Sequence, residues 1–221
     1  MTARLVRGGA PASRAPAGLV LVHGRGGSAA DILQVGEALG LPDLALIGPE
    51  HPARSWWPTS FLAPHAEMAA PLEAGLDAVA DAFAALEAEG LPRARIAVAG
   101  FSQGACLALE YAARQGTGLA GAFGFSGALV GTGDTDGAPT PALYGHGDKR
   151  FDYDTDLRGL PVYLSVYEQD PHIPHARAQR SAEVFRRLEA TVDTVTAPGA
   201  GHGLLSEDIT ALRGLLNRPA A

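Results

Sequence analysis

Gly100-Phe101-Ser102-Gln103-Gly104 lies between the apolar run Ile96-Ala97-Val98-Ala99 and a run from Ala105 to Tyr111 that is apolar on most sides. A Gly-x-Ser-x-Gly turn leading from a strand into a helix reads as a nucleophile elbow, in which a tight, strained turn lifts the serine hydroxyl out of the sheet. The two glycines leave space, because a side chain at 100 or 104 would crowd the point where strand and helix nearly touch. Three fixed positions recur by chance, so the pentapeptide alone fits an ordinary Gly-rich strand-to-helix turn equally well. The flanking segments have to decide between the two.

Toward the N-terminus, Leu19-Val20-Leu21-Val22 is apolar without alternation, the mark of a strand covered on both faces, and it runs into His23-Gly24-Arg25-Gly26-Gly27. Ser28 with Asp31 makes a capping-box pattern ahead of a helix carrying Ile32, Val35 and Leu39. Leu44-Ala45-Leu46-Ile47 reads as a second buried strand ended by Gly48-Pro49, and Ala3 to Val6 as a short edge strand. The connection 50–67 is long and sets Trp56, Trp57 and Phe61 among prolines, so these groups must pack on something or line a pocket. From about Pro71, Leu72, Leu76, Val79, Phe83 and Leu86 trace an amphipathic helix closed by Gly90 and Pro92.

Toward the C-terminus come a glycine-diluted strand (119–125), a stretch 126–159 dense in Gly, Asp, Pro and Thr, and the strand 162–167 ending at Asp170-Pro171. A helix (176–190), a partly exposed strand (192–196), the turn Gly201-His202-Gly203 and a final helix capped by Ser206 complete the chain. Strands alternating with helices imply an α/β three-layer sandwich with a mostly parallel central sheet and no large cap domain. We expect one domain over 1–221, with 1–18 irregular and 126–159 a long loop near the reactive end.

In such a sheet, reactive groups collect beyond the C-terminal ends of strands. Ser102, Asp170 and His202 each follow a strand, in an order found in α/β-hydrolases. A serine hydroxyl needs an imidazole to take its proton, and the imidazole needs a carboxylate to fix its tautomer and stabilise its cation. An anion site would come from the backbone amides of Gln103, at the positive end of the following helix, and of Arg25, in the glycine loop. The Arg25 side chain could recognise a substrate carboxylate or stand as an ordinary surface arginine.

Four strings together, His23-Gly24-Arg25-Gly26, Gly100 to Ala105, Asp170-Pro171-His172-Ile173-Pro174 and Gly201-His202-Gly203, resemble the phospholipase/carboxylesterase family of α/β-hydrolases, which includes acyl-protein thioesterases. The resemblance covers about residues 19–216. It implies Ser102 as nucleophile, Asp170 as acid, His202 as base, and Arg25 and Gln103 as oxyanion amides. It implies an esterase or thioesterase without metal or organic cofactor, and the absence of a large inserted lid domain implies an open pocket suited to small or medium substrates. The segment 55–64 is similar to one in bacterial hydroquinone-linked hydrolases, which places Trp56, Trp57 and Phe61 along an acyl or ring pocket and suggests, as an alternative, hydrolysis of aromatic ring-fission or quinone-derived products. His172 would border the mouth. Asp148, in Gly145-His146-Gly147-Asp148, is a rival acid, disfavoured because the strand 162–167 runs directly into Asp170.

The net charge of −7 argues against nucleic acid and anionic membrane as partners. Without a signal pattern or a membrane-length apolar run, cytoplasmic residence is the default. The single cysteine, Cys106, excludes a disulfide framework and reads as a small core residue. Gly24-x-Gly26-x-x-Ala29 with Glu50 after the next strand also fits a dinucleotide fingerprint, the alternative from another class, although it leaves His23 and the Ser, Asp and His set idle. His23 reads as a hydrogen-bonding support beneath the glycine loop. Asp152, Asp154 and Asp156 lack the glycine and glutamate of a calcium loop, and Pro174 interrupts His172 and His175 as a metal pair. The aromatic loop could serve a homodimer contact instead of a pocket.

Overall fold

The computed structural model describes residues 3–217, so the segment 1–18 is seen from Ala3 onward. In chain order the elements are β1 (Arg4–Gly9), β2 (Gly18–Val22), α1 (Ala29–Glu37), β3 (Ala45–Glu50), α2 (His65–Ala88), β4 (Ile96–Phe101), α3 (Gln103–Gln115) and β5 (Gly121–Phe125). There follow β6 (Gly133–Asp134), β7 (Lys149–Arg150), β8 (Pro161–Gln169), α4 (His175–Arg187), β9 (Thr191–Ala200) and α5 (Ser206–Leu216). Seven strands form one sheet in the order β1-β3-β2-β4-β5-β8-β9. Only β1 is antiparallel to its neighbour.

Alternation along the strands sends side chains to two different layers. Leu19 and Leu21 of β2 face α1 and α5, packing with Ile32, Leu33, Leu212 and Leu216. Val20 and Val22 face α2 and α3, in a cluster with Val79 and Leu107. Both faces of β2 are therefore dry, which is why its sequence shows no polar alternation. Helix α3 is covered almost all round, with every residue from Gln103 to Ala113 buried.

Several boundaries depart from the sequence reading: β1 runs on to Gly9 within the segment expected to be irregular, and β9 extends to Ala200, beyond the expected 192–196. β3 does not stop at Gly48-Pro49 but runs on to Glu50, paired with β1. Its pairing with β2 ends at Ile47, so Pro49 has a neighbour on one side only and its missing N–H leaves no gap in a ladder. α2 starts at His65, six residues before Pro71, because Met68 extends the buried stripe upstream and the carboxylate of Asp134 accepts the His65 N–H at 3.0 Å. Ser206 is the first helical residue of α5 and not its cap; the Leu205 N–H donates to Asp208 Oδ2 at 2.8 Å. The stretch 126–159 is partly ordered into the β6–β7 ribbon.

Candidate active site

The register of the sheet brings five strand ends to one edge. Val22 lies opposite Gly100, Phe101 opposite Phe125, and Gln169 opposite Ala200. Ser102 follows β4 with φ 56° and ψ −121°, a conformation that costs a non-glycine residue about 1–3 kcal/mol. Backbone bonds hold it there: Ser102 N–H donates to Phe125 O at 2.9 Å, and Ser102 O accepts from Cys106 N–H at 3.0 Å. The flanking glycines are required by space. A Cβ on Gly100 would sit 2.2 Å from Gly104 O, and one on Gly104 would sit 2.1 Å from Val22 O.

His202, after β9, reaches Ser102 Oγ through Nε2 at 2.8 Å and Asp170 Oδ2 through Nδ1 at 2.8 Å. An ionised carboxylate can only accept, so Nδ1 carries the proton and Nε2 offers its lone pair to the serine hydroxyl. Asp170 is fully buried, and its Oδ1 accepts the amides of His172 at 2.8 Å and Ile173 at 3.0 Å. The turn after β8 thus fixes one carboxylate oxygen and leaves the other for the imidazole. The rival Asp148 is exposed and bonds its neighbour Lys149 N–H at 2.7 Å, so it takes no part in this chain of contacts.

Two supports around His202 carry no signal in the local sequence. Ser126, directly after β5, donates its hydroxyl to Gly203 O at 2.9 Å and so pins the turn that presents the imidazole. Tyr144 donates its hydroxyl to the backbone carbonyl of Asp170. Only their placement after a strand and in the long loop hints at either contact.

Across the cleft, the glycine loop after β2 turns through Gly26 at φ +80° and closes with Gly26 N–H to Arg54 O at 2.7 Å. His23 lies beneath it. Its Nδ1–H donates to Gly24 O at 2.8 Å while Nε2 accepts the His51 N–H at 3.2 Å, so both nitrogens are used by the neutral ring. Burial lowers its pKa from the ordinary histidine value of 6.5. Arg25, three residues beyond the end of β2, and Gln103, the first residue of α3 after β4, both line the cleft at Ser102.

The Gln103 side chain has a role the sequence did not disclose. It is buried, accepts the Trp56 N–H at 2.9 Å and donates to Trp57 O at 2.8 Å, tying the aromatic loop to the start of α3. Trp57 and Phe61 line a cleft of about 540 Å³ together with Arg25, Phe101, His172 and Ile173, in front of Ser102 and His202. Trp56 corrects the expectation that all three aromatics face this space. Its indole stacks on His23 with centroids 4.8 Å apart and donates to His23 O at 2.9 Å, so it braces the loop from behind. Cys106 contributes to the floor of the cleft, and burial pushes its thiol up to about 12.

The other sequence signals resolve into structural contacts. Glu50 pairs with Arg4 at 2.9 Å and accepts the Ala29 N–H at 3.0 Å, so the acid expected of a dinucleotide site is occupied. Asp156 pairs with Arg158 at 2.7 Å. Among the described residues no group of three or more His, Cys, Asp or Glu is placed to hold a metal ion, and no helix is long and apolar enough to cross a membrane. Lys149 is buried, with Nζ donating to Asp134 at 2.8 Å and to Ala63 O, and it joins the long loop to the segment before α2.

The profile of the phospholipase/carboxylesterase family matches residues 9–218. The crystal structure of a phospholipase/carboxylesterase from Dyadobacter fermentans is 32% identical over 98% of this chain and 97% of that one, with a TM-score of 0.84. Esterase PE8 is 22% identical over 99% of both chains with a TM-score of 0.71. A Bacillus cereus carboxylesterase is 15% identical over 97% of this chain and 93% of that one, with a TM-score of 0.71. The last two show likeness of fold alone. No curated protein matches the chain by sequence.

Proposed function

The chain belongs to the phospholipase/carboxylesterase family of ester hydrolases, and from that premise we propose that it cleaves small or medium carboxylic esters or thioesters through an acyl-Ser102 intermediate. The observation that carries the reading is the continuous line of contacts Ser102 Oγ, His202 Nε2, His202 Nδ1 and Asp170 Oδ2, with 2.8 Å at each hydrogen bond. Ser102 Oγ attacks the acyl carbon as its proton passes to His202 Nε2. The carbonyl π electrons move to oxygen, and the amides of Arg25 and Gln103 stabilise that oxyanion. As the carbonyl re-forms, the bond to the leaving oxygen or sulfur breaks, and His202 returns its proton to that atom. Water then attacks the acyl-enzyme, losing a proton to His202, and releases the acid as Ser102 regains its proton. Asp170 stays ionised throughout and stabilises the imidazolium. No step calls for a metal or organic cofactor.

The side chains of Trp57, Phe61 and Phe101 lining the cleft support a second reading, hydrolysis of aromatic ring-fission or quinone-derived products. A series of nitrophenyl esters of increasing acyl length, run beside aryl substrates, separates the two. A fluorophosphonate probe tests the mechanism itself. Ser102 should be labelled in the wild type, not in Ser102→Ala, and about 10²–10⁴-fold more slowly in His202→Ala. A folded wild-type protein that stays unlabelled overturns the proposal.

A further inference from the structure

The cleft contains one formal charge that acyl transfer to Ser102 does not use. The Arg25 side chain lines the space in front of Ser102, and its guanidinium is held by Nη1 donating to Pro58 O at 3.0 Å and Nη2 donating to Thr59 O at 2.5 Å. Both acceptors are uncharged carbonyls. Among the described residues no carboxylate forms an ion pair with Arg25; Arg95 and Arg213, among others, also lack one, but none of these lines this cleft. A guanidinium has five N–H donors, so after two bonds to the loop it keeps donors free and a fixed orientation.

The surroundings favour an anion. The chain has 24 acidic residues against 17 basic ones, yet no aspartate or glutamate lines this cleft. Asp170, behind His202, has one oxygen on the imidazole and the other on two amides, and it is fully buried and does not line the cleft. The remaining titratable groups at the wall are His172, His202 and the buried Cys106 thiol, none of which carries negative charge near neutral pH. Thr59 lines the same wall, and its buried Oγ1 has no hydrogen-bond partner among the described residues. A cation fixed at two points and facing an acid-free cleft is a ready partner for a carboxylate, whose two oxygens match the fork.

We propose that Arg25 is a specificity-determining residue that binds a carboxylate carried by the substrate, so that the preferred esters are anionic ones such as monoesters of short dicarboxylic acids or esters of hydroxy acids. The inference rests on the esterase reading above. Because the amide of the same residue is the proposed oxyanion donor, the carboxylate and the scissile carbonyl must lie within one arginine side chain of each other, which favours short linkers over long ones. The carboxylate can belong to the acyl half or to the leaving group; the recognition chemistry is the same, and the substrates below distinguish them.

The test measures kcat/KM for two matched pairs: monomethyl against dimethyl succinate, with the charge on the acyl half, and O-acetylglycolate against its methyl ester, with the charge on the leaving group. Wild type, Arg25→Gln and Arg25→Lys are compared at low and high salt. Intrinsic reactivity differs between the members of a pair, so the quantity read is the anionic-to-neutral ratio in wild type divided by that in Arg25→Gln. We expect this quotient to be about tenfold or more for at least one pair, in keeping with hydrogen bonds to charged groups. Arg25→Lys should retain part of it, and added salt should shrink it in wild type. As a readout independent of turnover, free succinate should slow fluorophosphonate labelling of Ser102 in wild type and not in Arg25→Gln. Quotients near one for both pairs, together with labelling that succinate does not slow, overturn the proposal. Failure of labelling in the folded wild type overturns the esterase reading instead, and the two failures are distinct. If Arg25→Gln loosens the loop that Arg25 holds, the salt dependence and succinate protection in wild type still decide the matter.

Discussion

On one side of the cleft Ser102, Asp170 and His202 stand beyond the ends of three parallel strands; main-chain bonds fix the Ser102 elbow, and short side chains at the strand ends, the Asp170 carboxylate and the Ser126 hydroxyl, tie down the other two turns. On the other side Trp57 and Phe61 stand on residues 51–64, which form neither strand nor helix, and side chains do the fixing: Gln103 on Trp57 O, Arg25 on Pro58 O and Thr59 O, Lys149 on Ala63 O. The proposed reaction centre therefore inherits its accuracy from the sheet, where a displacement would have to break ladders. The proposed substrate wall depends on a few polar groups that could change singly. Chemistry should be sensitive to the packing of the elbow, and specificity to the polar clamps.

The strongest way to break that contrast is Gly104→Ala. Its Cβ would lie 2.1 Å from Val22 O and 2.5 Å from His23 O, both main-chain atoms that cannot rotate away. β2 and α3 would have to separate, moving the glycine loop from the elbow. We expect a loss of about 3 kcal/mol in urea denaturation, from overpacking, along with much slower labelling of Ser102. A variant as stable and as reactive as wild type would show that the close approach of β2 and α3 does not hold the centre together.

Gln103→Ala probes the opposite wall with a smaller effect. It keeps the backbone amide proposed for the oxyanion site and removes only the side chain that bonds Trp56 N–H and Trp57 O. Leaving these groups unpaired should cost about 1–3 kcal/mol. KM for bulky esters should rise, while labelling by a small fluorophosphonate changes little. If turnover of small and bulky esters fell together by orders of magnitude, the two walls would not be separable in the way described.

The same division governs what could be read from the chain. Strands β2 and β4 were legible because burial on both faces removes every polar residue; the turns holding Ser102 and Asp170 were legible as glycine- or proline-marked breaks after apolar runs, and that of His202 by its two flanking glycines after a partly exposed strand. The wall was not. Trp56 and Trp57 are adjacent in a segment without periodicity, so nothing in the sequence says which indole faces the cleft and which lies on His23. The start of α2 was obscured because the acid that receives its first amide, Asp134, is far along the chain. Lys149, the chain's only lysine, reads as a solvated residue of a polar loop, yet it is buried between Asp134 and Ala63. Contacts made by side chains across long separations leave no local pattern.

His23 belongs to both walls, since its ring carries the Gly24 carbonyl on one edge and the Trp56 indole on its face, and it yields the smallest of the three effects. Its two nitrogens are satisfied only in the neutral form, because Nε2 must keep its lone pair for the His51 N–H. Burial holds the folded-state pKa below the ordinary histidine value of 6.5. As pH falls below 6.5, the unfolded chain therefore takes up a proton that the folded chain resists, and stability declines until the folded-state pKa is passed. Well above 6.5, where the ring is neutral in both states, this residue contributes no slope. Urea midpoints measured from about pH 7 down to about pH 5 should fall more steeply for wild type than for His23→Gln, which lacks the titrating group. The carboxylate pairs elsewhere titrate in both proteins and cancel in the difference. An identical slope in the two would mean that the glycine loop and the Trp56 brace tolerate an imidazolium between them, and the link between the walls would then have to be carried by Gln103 alone.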